Sequence, residues 1–155
     1  MKILLTGCCG FIGFNFVNSL IKTNKKIKIV GIDNLNNYYS VGLKKARLKI
    51  LLKSKNFTFQ KMDLENLKLL NNLFKKNKFD CIFHLAAQAG VRYSIKNPKK
   101  YIDSNIIGFF NIIELARKTN IKKIFYASSS SVYGDSEKFP LSEKTIINPK
   151  NVYGL

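Results

Sequence analysis

The residues best suited to chemistry are four consecutive serines at positions 128–131 and Tyr153, which follows them by about two dozen residues. A tyrosine can take a proton from a substrate alcohol when positive charge stabilises its phenolate, and a serine hydroxyl can orient it by hydrogen bonding. This spacing is typical of a Ser/Tyr proton-transfer pair.

A second segment with chemical potential contains Gly7, Gly10 and Gly13, between a predicted first strand and first helix. Glycines let the backbone approach a pyrophosphate closely, and a helix N-terminus offers it unpaired N–H groups. The triplet alone would also suit an ordinary strand-to-helix turn. However, Asp33 ends the second predicted strand 20 residues after Gly13, where a carboxylate can accept both adenosine ribose hydroxyls. Because this carboxylate repels a 2′-phosphate and we expect no arginine nearby, the pattern favours NAD over NADP.

These residues need a scaffold, and apolar periodicity predicts alternating strands and helices. Such alternation is typical of a parallel sheet covered on both faces, and right-handed connections give the strand order 3-2-1-4-5. We therefore expect one domain over residues 1–155, an α/β, Rossmann-like, doubly wound sheet that lacks its later strands and a substrate domain. The predicted strands cover residues 2–6, 27–33, 57–61, 80–85 and 121–127, and the predicted helices cover residues 11–22 and 43–53, a segment capped by Asp63, and a long segment from Pro98.

Three longer segments resemble the NAD-dependent epimerase/dehydratase family, the extended short-chain dehydrogenases/reductases, and within it the UDP-glucuronate 4-epimerases. The resemblance covers essentially the whole chain. The GxxGxxG spacing of the glycine loop is shared across the superfamily, whereas residues 87–94, AlaGlnAlaGlyValArgTyrSer, are far more specific. The three segments are residues 31–48, residues 84–109 and residues 126–134.

The resemblance implies a role for particular residues. Ser129 and Tyr153 match the catalytic pair, and no metal ligand is expected. Arg92, Ser129 and Ser130 are candidates for contacts with the sugar. His84 is expected to be a hydrogen-bonded strand-end residue rather than a base. The implied cofactor residues are Gly7, Gly10, Phe11, Ile12 and Gly13 at the pyrophosphate, Asp33 and Asn34 at the ribose, Asp63 and Leu64 at the adenine, and Leu85, Ala86, Ala87, Gln88 and Asn105 further along NAD.

The implied reaction inverts C4 of UDP-glucuronate through a 4-keto sugar, with NAD taking up and returning the hydride. Two departures from the family pattern bear on it. The family's lysine, four residues after the tyrosine, would fall beyond Leu155, and Asn151 and Val152 replace the usual Ser-Leu. We therefore expect this 155-residue chain to be inactive or nearly so, and the full-length family member to be a homodimer.

Several alternatives stay open. Other UDP-sugar 4-epimerases fit the same residues. A 4,6-dehydratase would need an acidic pair just before Val132, where this chain has Ser130 and Ser131. A non-catalytic NAD-binding module and a polyanion-binding protein are the alternatives from other classes.

Composition narrows the class of protein. The net charge is +18, but only three of the 27 basic residues are arginine, so we expect no specific nucleic-acid partner. Three cysteines without metal-ligand spacing favour neither a disulfide framework nor a metal site, and suggest a cytoplasmic location. No apolar run is long enough to span a bilayer, so we expect no membrane partner.

Overall fold

A parallel sheet of five strands lies at the centre of the computed structural model, which describes residues 1–136 and 139–155. The elements in chain order are β1 (Lys2–Thr6), α1 (Phe11–Thr23), β2 (Lys28–Asp33), α2 (Val41–Leu51), β3 (Phe57–Lys61), α3 (Leu67–Lys76), β4 (Cys81–His84), α4 (Val91–Lys96), α5 (Pro98–Tyr101), a π-helical segment (Ile102–Ile107), α6 (Gly108–Lys118), β5 (Ile124–Tyr126) and a 3₁₀ turn (Ser130–Tyr133). The strand order is β3-β2-β1-β4-β5, which confirms the predicted topology and fold class.

Both faces of the sheet are covered because successive strand residues point to opposite sides. On β1, Leu4 packs into one apolar cluster, which also contains residues of α3 and α6. Its neighbours Ile3 and Leu5 pack into a second cluster on the other face, where Val17 of α1 and Leu51 of α2 are buried. A strand buried on both faces must be apolar throughout, which is what residues 3–5 show.

The helices differ from the prediction in three places. The expected cap of α3 at Asp63 is wrong, since Asn66 holds that position and its side chain accepts a hydrogen bond from the backbone N–H of Leu69. The short helix α4 was not predicted. The long helix from Pro98 contains the π-helical segment, in which no residue is buried. Among the described residues, no helix is both long and apolar enough to cross a membrane.

Thr6 and His84 join the carboxyl ends of β1 and β4. The Thr6 hydroxyl oxygen accepts hydrogen bonds from the backbone N–H groups of Leu85 and Ala86, at 3.1 and 3.0 Å. Its own proton can therefore be donated to Nδ1 of His84, 3.0 Å away. His84 is buried and stacks on Phe109, and burial lowers its pKa to about 4. This confirms the interpretation of His84 as a hydrogen-bonded strand-end residue.

This neutral histidine predicts a loss of stability in acid. The pKa of His84 falls from 6.5 to about 4 on folding. Between these two pH values the imidazole is protonated in the unfolded chain and neutral in the folded chain. The free energy of unfolding should therefore fall by about 3 kcal/mol between pH 6.5 and pH 4 on this account, and no further below. Urea unfolding of the wild type and of His84→Gln at pH 7 and pH 4.5 measures it, and equal pH dependence in both proteins would contradict it.

Candidate functional site

A cavity of about 380 Å³ opens at the carboxyl edge of the sheet, beside the point where the strand order reverses between β1 and β4. Crevices at this position are the usual ligand sites of doubly wound sheets. Twelve of the fourteen residues predicted for the cofactor line it: Gly7, Gly10, Phe11, Ile12, Gly13, Asp33, Asn34, Leu64, Leu85, Ala86, Ala87 and Gln88.

The glycine loop depends on two close backbone contacts. Gly7 has φ +71°, a conformation that residues with a Cβ rarely adopt, and its N–H donates to the carbonyl of Ile32 at 2.8 Å. A Cβ on Gly7 would lie 2.7 Å from the backbone nitrogen of Ala86. A Cβ on Gly13 would collide with the carbonyl oxygen of Gly7. The first turn of α1 is therefore held directly against the loop, with its N-terminus at the cavity.

Asp33 connects the end of β2 to this loop. Its Oδ2 accepts a hydrogen bond from the backbone N–H of Cys9 at 3.0 Å, and its Oδ1 accepts one from Leu35 at 2.9 Å. Each carboxylate oxygen keeps a further lone pair, so both can still accept from a ligand. The half-buried carboxylate is thus fixed in place and lines the cavity.

The two predicted cofactor residues outside the cavity lining act through residues that line it. Oδ1 of Asp63 accepts a hydrogen bond from the Asn34 side chain at 2.7 Å. Asn105, in the π-helical segment, grips the backbone of Gln88: Oδ1 accepts from its N–H at 2.7 Å and Nδ2 donates to its carbonyl at 3.0 Å. Both are positioning contacts in this structure.

Lys44 is a lining residue that the sequence interpretation missed. It is only 4% exposed, and its Nζ donates to the carbonyl and the side-chain oxygen of Asn36, both at 2.8 Å. Nζ also lies 4.3 Å from the ring centre of Tyr39, and burial lowers the lysine's pKa. The available signal was its helical spacing to Leu48 and Leu51, which places Lys44 on the apolar face of α2.

Arg47 corrects the expectation that no arginine lies near the loop. One of its guanidinium nitrogens donates to the carbonyl of Cys9 at 3.3 Å and to the hydroxyl of Tyr39 at 3.5 Å. Arg47 therefore supports the loop through the carbonyl of Cys9, the same residue whose backbone N–H binds Asp33.

The serine turn follows β5 at the same edge of the sheet. Ser129 Oγ accepts a hydrogen bond from the backbone N–H of Ser131 at 3.3 Å and so caps the 3₁₀ turn. Ser130 is exposed on this turn, and Arg92 is exposed on α4; neither lines the cavity.

Tyr153 lies close to the serine turn through its neighbour in sequence. A Cβ on Gly154 would lie 2.6 Å from the carbonyl oxygen of Ser131, so the two segments are in direct backbone contact. The Tyr153 ring packs edge-on against Tyr101, with centroids 6.1 Å apart. Within residues 1–136 and 139–155, no hydrogen bond joins Ser129 to Tyr153. The fold brings the predicted pair into one region without pairing the hydroxyls.

Comparison with known proteins agrees with this architecture. The family model described as GDP-mannose 4,6 dehydratase matches residues 4–155. The chain belongs to this family. It is 50% identical to "Protein CapI" of Staphylococcus aureus over 99% of the chain and 45% of the relative. It is 45% identical to UDP-glucuronate 4-epimerase 1 of Arabidopsis thaliana over 92% of the chain and 33% of the relative.

A solved family structure gives the same result in three dimensions. The UDP-glucuronic acid 4-epimerase of Bacillus cereus, in complex with UDP-glucuronic acid and NAD, superposes with a TM-score of 0.87 at 34% identity. The match covers 99% of this chain and 48% of that structure. The chain thus spans between a third and a half of the length of these relatives.

The contact between Gly13 and Gly7 predicts that substitution by alanine has opposite effects on stability at Gly13 and at Gly42, which are both in helices. Gly13→Ala should destabilise the fold by about 1–3 kcal/mol, because the added Cβ meets the Gly7 carbonyl. Gly42→Ala, also in a helix, has room for a methyl group, with Ser40 Oγ nearest at 3.6 Å, and should stabilise by about 0.5–1 kcal/mol. Denaturant unfolding compares the two, and similar effects would contradict the assigned role of Gly13.

Proposed function

We propose that residues 1–155 are the NAD-binding domain of a sugar-nucleotide 4-epimerase and that UDP-glucuronate is its substrate. The observation that carries this proposal is the cavity itself, where a glycine loop with a helix N-terminus and a fixed carboxylate meet at the reversal of strand order. The NAD and UDP-sugar bound by the Bacillus cereus relative support it.

The residues present fit the dinucleotide. The N–H groups of residues 7–10 donate within the protein. The first turn of α1, held against Gly7 by the close approach of Gly13, therefore offers its N–H groups to the pyrophosphate. Asp33 holds the adenosine ribose, with Asn34 beside it. When bound, NAD supplies the hydride acceptor.

Asp33 also favours NAD over NADP. A 2′-phosphate would stand against its carboxylate, and two cations beside the loop, Lys44 and Arg47, already donate hydrogen bonds to other groups. Lys44 donates to Asn36, and Arg47 donates to the Cys9 carbonyl. Neither therefore replaces the repulsion with a new ion pair.

Tyr153 and Ser129 take the proton-transfer roles. Tyr153 removes the proton from the sugar 4-hydroxyl and returns it after the keto sugar has turned in the site, and Ser129 orients the reacting hydroxyls. The Ser129 hydroxyl, which bonds Ser131 in this structure, can rotate towards a substrate. Tyr101 links this region to the cavity-lining segment after β4, since its ring contacts Tyr153 and its hydroxyl donates to the carbonyl of Ala89 at 2.7 Å.

Arg92 and Ser130 are proposed to contact the sugar. Of the alternatives, another UDP-sugar 4-epimerase fits the same chemistry. A 4,6-dehydratase is disfavoured because Ser130 and Ser131 stand where that reaction needs acids. A non-catalytic NAD-binding module would keep the cavity without the proton transfer.

The homodimer and the cytoplasmic location remain predictions. The homodimer is implied by resemblance for the full-length family member. A reducing compartment suits Cys8, Cys9 and Cys81, all of which are free thiols.

Replacing the ribose-binding carboxylate should weaken NAD binding. Asp33→Asn should raise the Kd for NAD about tenfold or more, since a charge-assisted hydrogen bond contributes about 1.5–3 kcal/mol. Isothermal titration calorimetry measures it, with Asp80→Asn as the control, because Asp80 accepts a backbone hydrogen bond from Lys2 at the start of β1. Equal affinity of Asp33→Asn and wild type, or no NAD binding by the wild type, would contradict the proposal.

Removing the proposed base should abolish epimerisation in the whole protein. Tyr153→Phe keeps the ring contact with Tyr101 but loses the hydroxyl, and should lower kcat about 10²–10⁴-fold. The assay follows interconversion of UDP-glucuronate and UDP-galacturonate. Tyr126→Phe, an exposed tyrosine on β5, is the control and should stay near wild type. Retained turnover in Tyr153→Phe would exclude its assignment as the base.

A further inference from the structure

Two thiols and a carboxylate meet beneath the glycine loop. Cys8, Cys9 and Asp33 each offer one ligand atom, and these atoms all lie within 4.8 Å of one another. The two sulfurs are 3.8 Å apart. Both cysteines are fully buried, whereas Asp33 is half-buried and faces the cavity.

The fold creates this cluster from residues whose spacing does not suggest a metal site. Cys8 and Cys9 are adjacent in the turn after β1, and Asp33 ends the neighbouring strand β2. The hydrogen bond from the Cys9 N–H to Asp33 Oδ2 holds the carboxylate at the same turn as the thiols. No rearrangement of the sheet is needed to bring the three groups together.

The donor set selects a class of ion. Two sulfurs and one oxygen suit a borderline-soft cation rather than Mg²⁺ or Ca²⁺, which prefer oxygen alone. Two thiolates of a tetrahedral zinc site, each about 2.3 Å from the metal, lie about 3.8 Å apart, which is the separation of the two sulfurs here. The binding ion displaces the thiol protons, and the fourth position is left to water.

We propose that Cys8, Cys9 and Asp33 bind one thiophilic divalent cation of the zinc and cadmium class. The same carboxylate is assigned to the adenosine ribose, so the cation and the dinucleotide exclude each other. This second step rests on the proposed function; the first does not. The site would make NAD binding sensitive to thiophilic metals.

The metal site is tested with Cd²⁺ as the probe on the intact, reduced chain. We expect one Cd²⁺ per chain, with the ultraviolet charge-transfer absorption of cadmium–thiolate bonds and two sulfur neighbours by X-ray absorption. Cys8→Ser and Cys9→Ser should each lose at least half of this absorption. Cys81→Ser, which removes a buried thiol of the same apolar cluster, should keep all of it.

Absence of the absorption in the wild type, or its loss only in Cys81→Ser, would overturn the site. Circular dichroism identifies a serine variant that fails to fold. In that case Asp33→Asn, which keeps both thiols, is used instead. It should retain the absorption and raise the Kd for Cd²⁺ about tenfold. An unchanged Kd for Cd²⁺ would overturn the proposed donor set.

Competition with NAD is measured separately. With Cd²⁺ at ten times its own Kd, the apparent Kd for NAD should rise about elevenfold, and this effect should vanish in Cys9→Ser. Cadmium binding with unchanged NAD affinity would overturn mutual exclusion. A wild type that binds Cd²⁺ but no NAD would refute the proposed function and leave the metal site standing.

Discussion

The hydrogen bond between the Cys9 N–H and the Asp33 carboxylate is the contact on which the site depends. It joins the ends of the neighbouring strands β1 and β2, alongside the hydrogen bonds that the carbonyl of Ile32 accepts from the N–H groups of Gly7 and Cys8. A half-buried carboxylate needs strong donors to offset its lost hydration. Backbone N–H groups of Cys9 and Leu35 provide them without neutralising the charge, which leaves a fixed anion at the cavity.

The opposite wall of the cavity, formed by the segment after β4, is also held by a few hydrogen bonds. The single hydroxyl of Thr6 accepts from Leu85 and Ala86 while bonding His84, so the chain after β4 turns directly over Gly7. Asn105 then fixes Gln88 from the long helix. Such a wall is made of backbone held by buried side chains. The shape of the cavity wall therefore depends on Thr6, His84 and Asn105, which do not line the cavity themselves.

The sequence predicted those features of the fold that depend on neighbouring residues. The bounds of β1 and β3 match the prediction, because short apolar runs ending at polar residues leave little freedom. Asp63 was wrongly expected to cap α3, because both it and Asn66 are good caps. In the fold, Asp63 bonds Asn34 and Asn66 caps the helix. The helical spacing to Leu48 and Leu51 could have indicated that Lys44 is buried. The hydrogen bonds between Asn105 and Gln88 join residues from two different elements, which no local period encodes.

Different constraints act on the glycines of the loop and on the two cysteines between them. At positions 7, 10 and 13, a Cβ would lie within 3.2 Å of backbone atoms, and Gly7 also has a positive φ. Positions 8 and 9 contribute backbone to the loop but direct their side chains into the apolar cluster below. The close backbone contacts of the glycines therefore do not restrict the chemistry of these two side chains. This chain places thiols there, beside the Asp33 carboxylate, and under the two proposals above the same short segment binds either a dinucleotide or a metal ion.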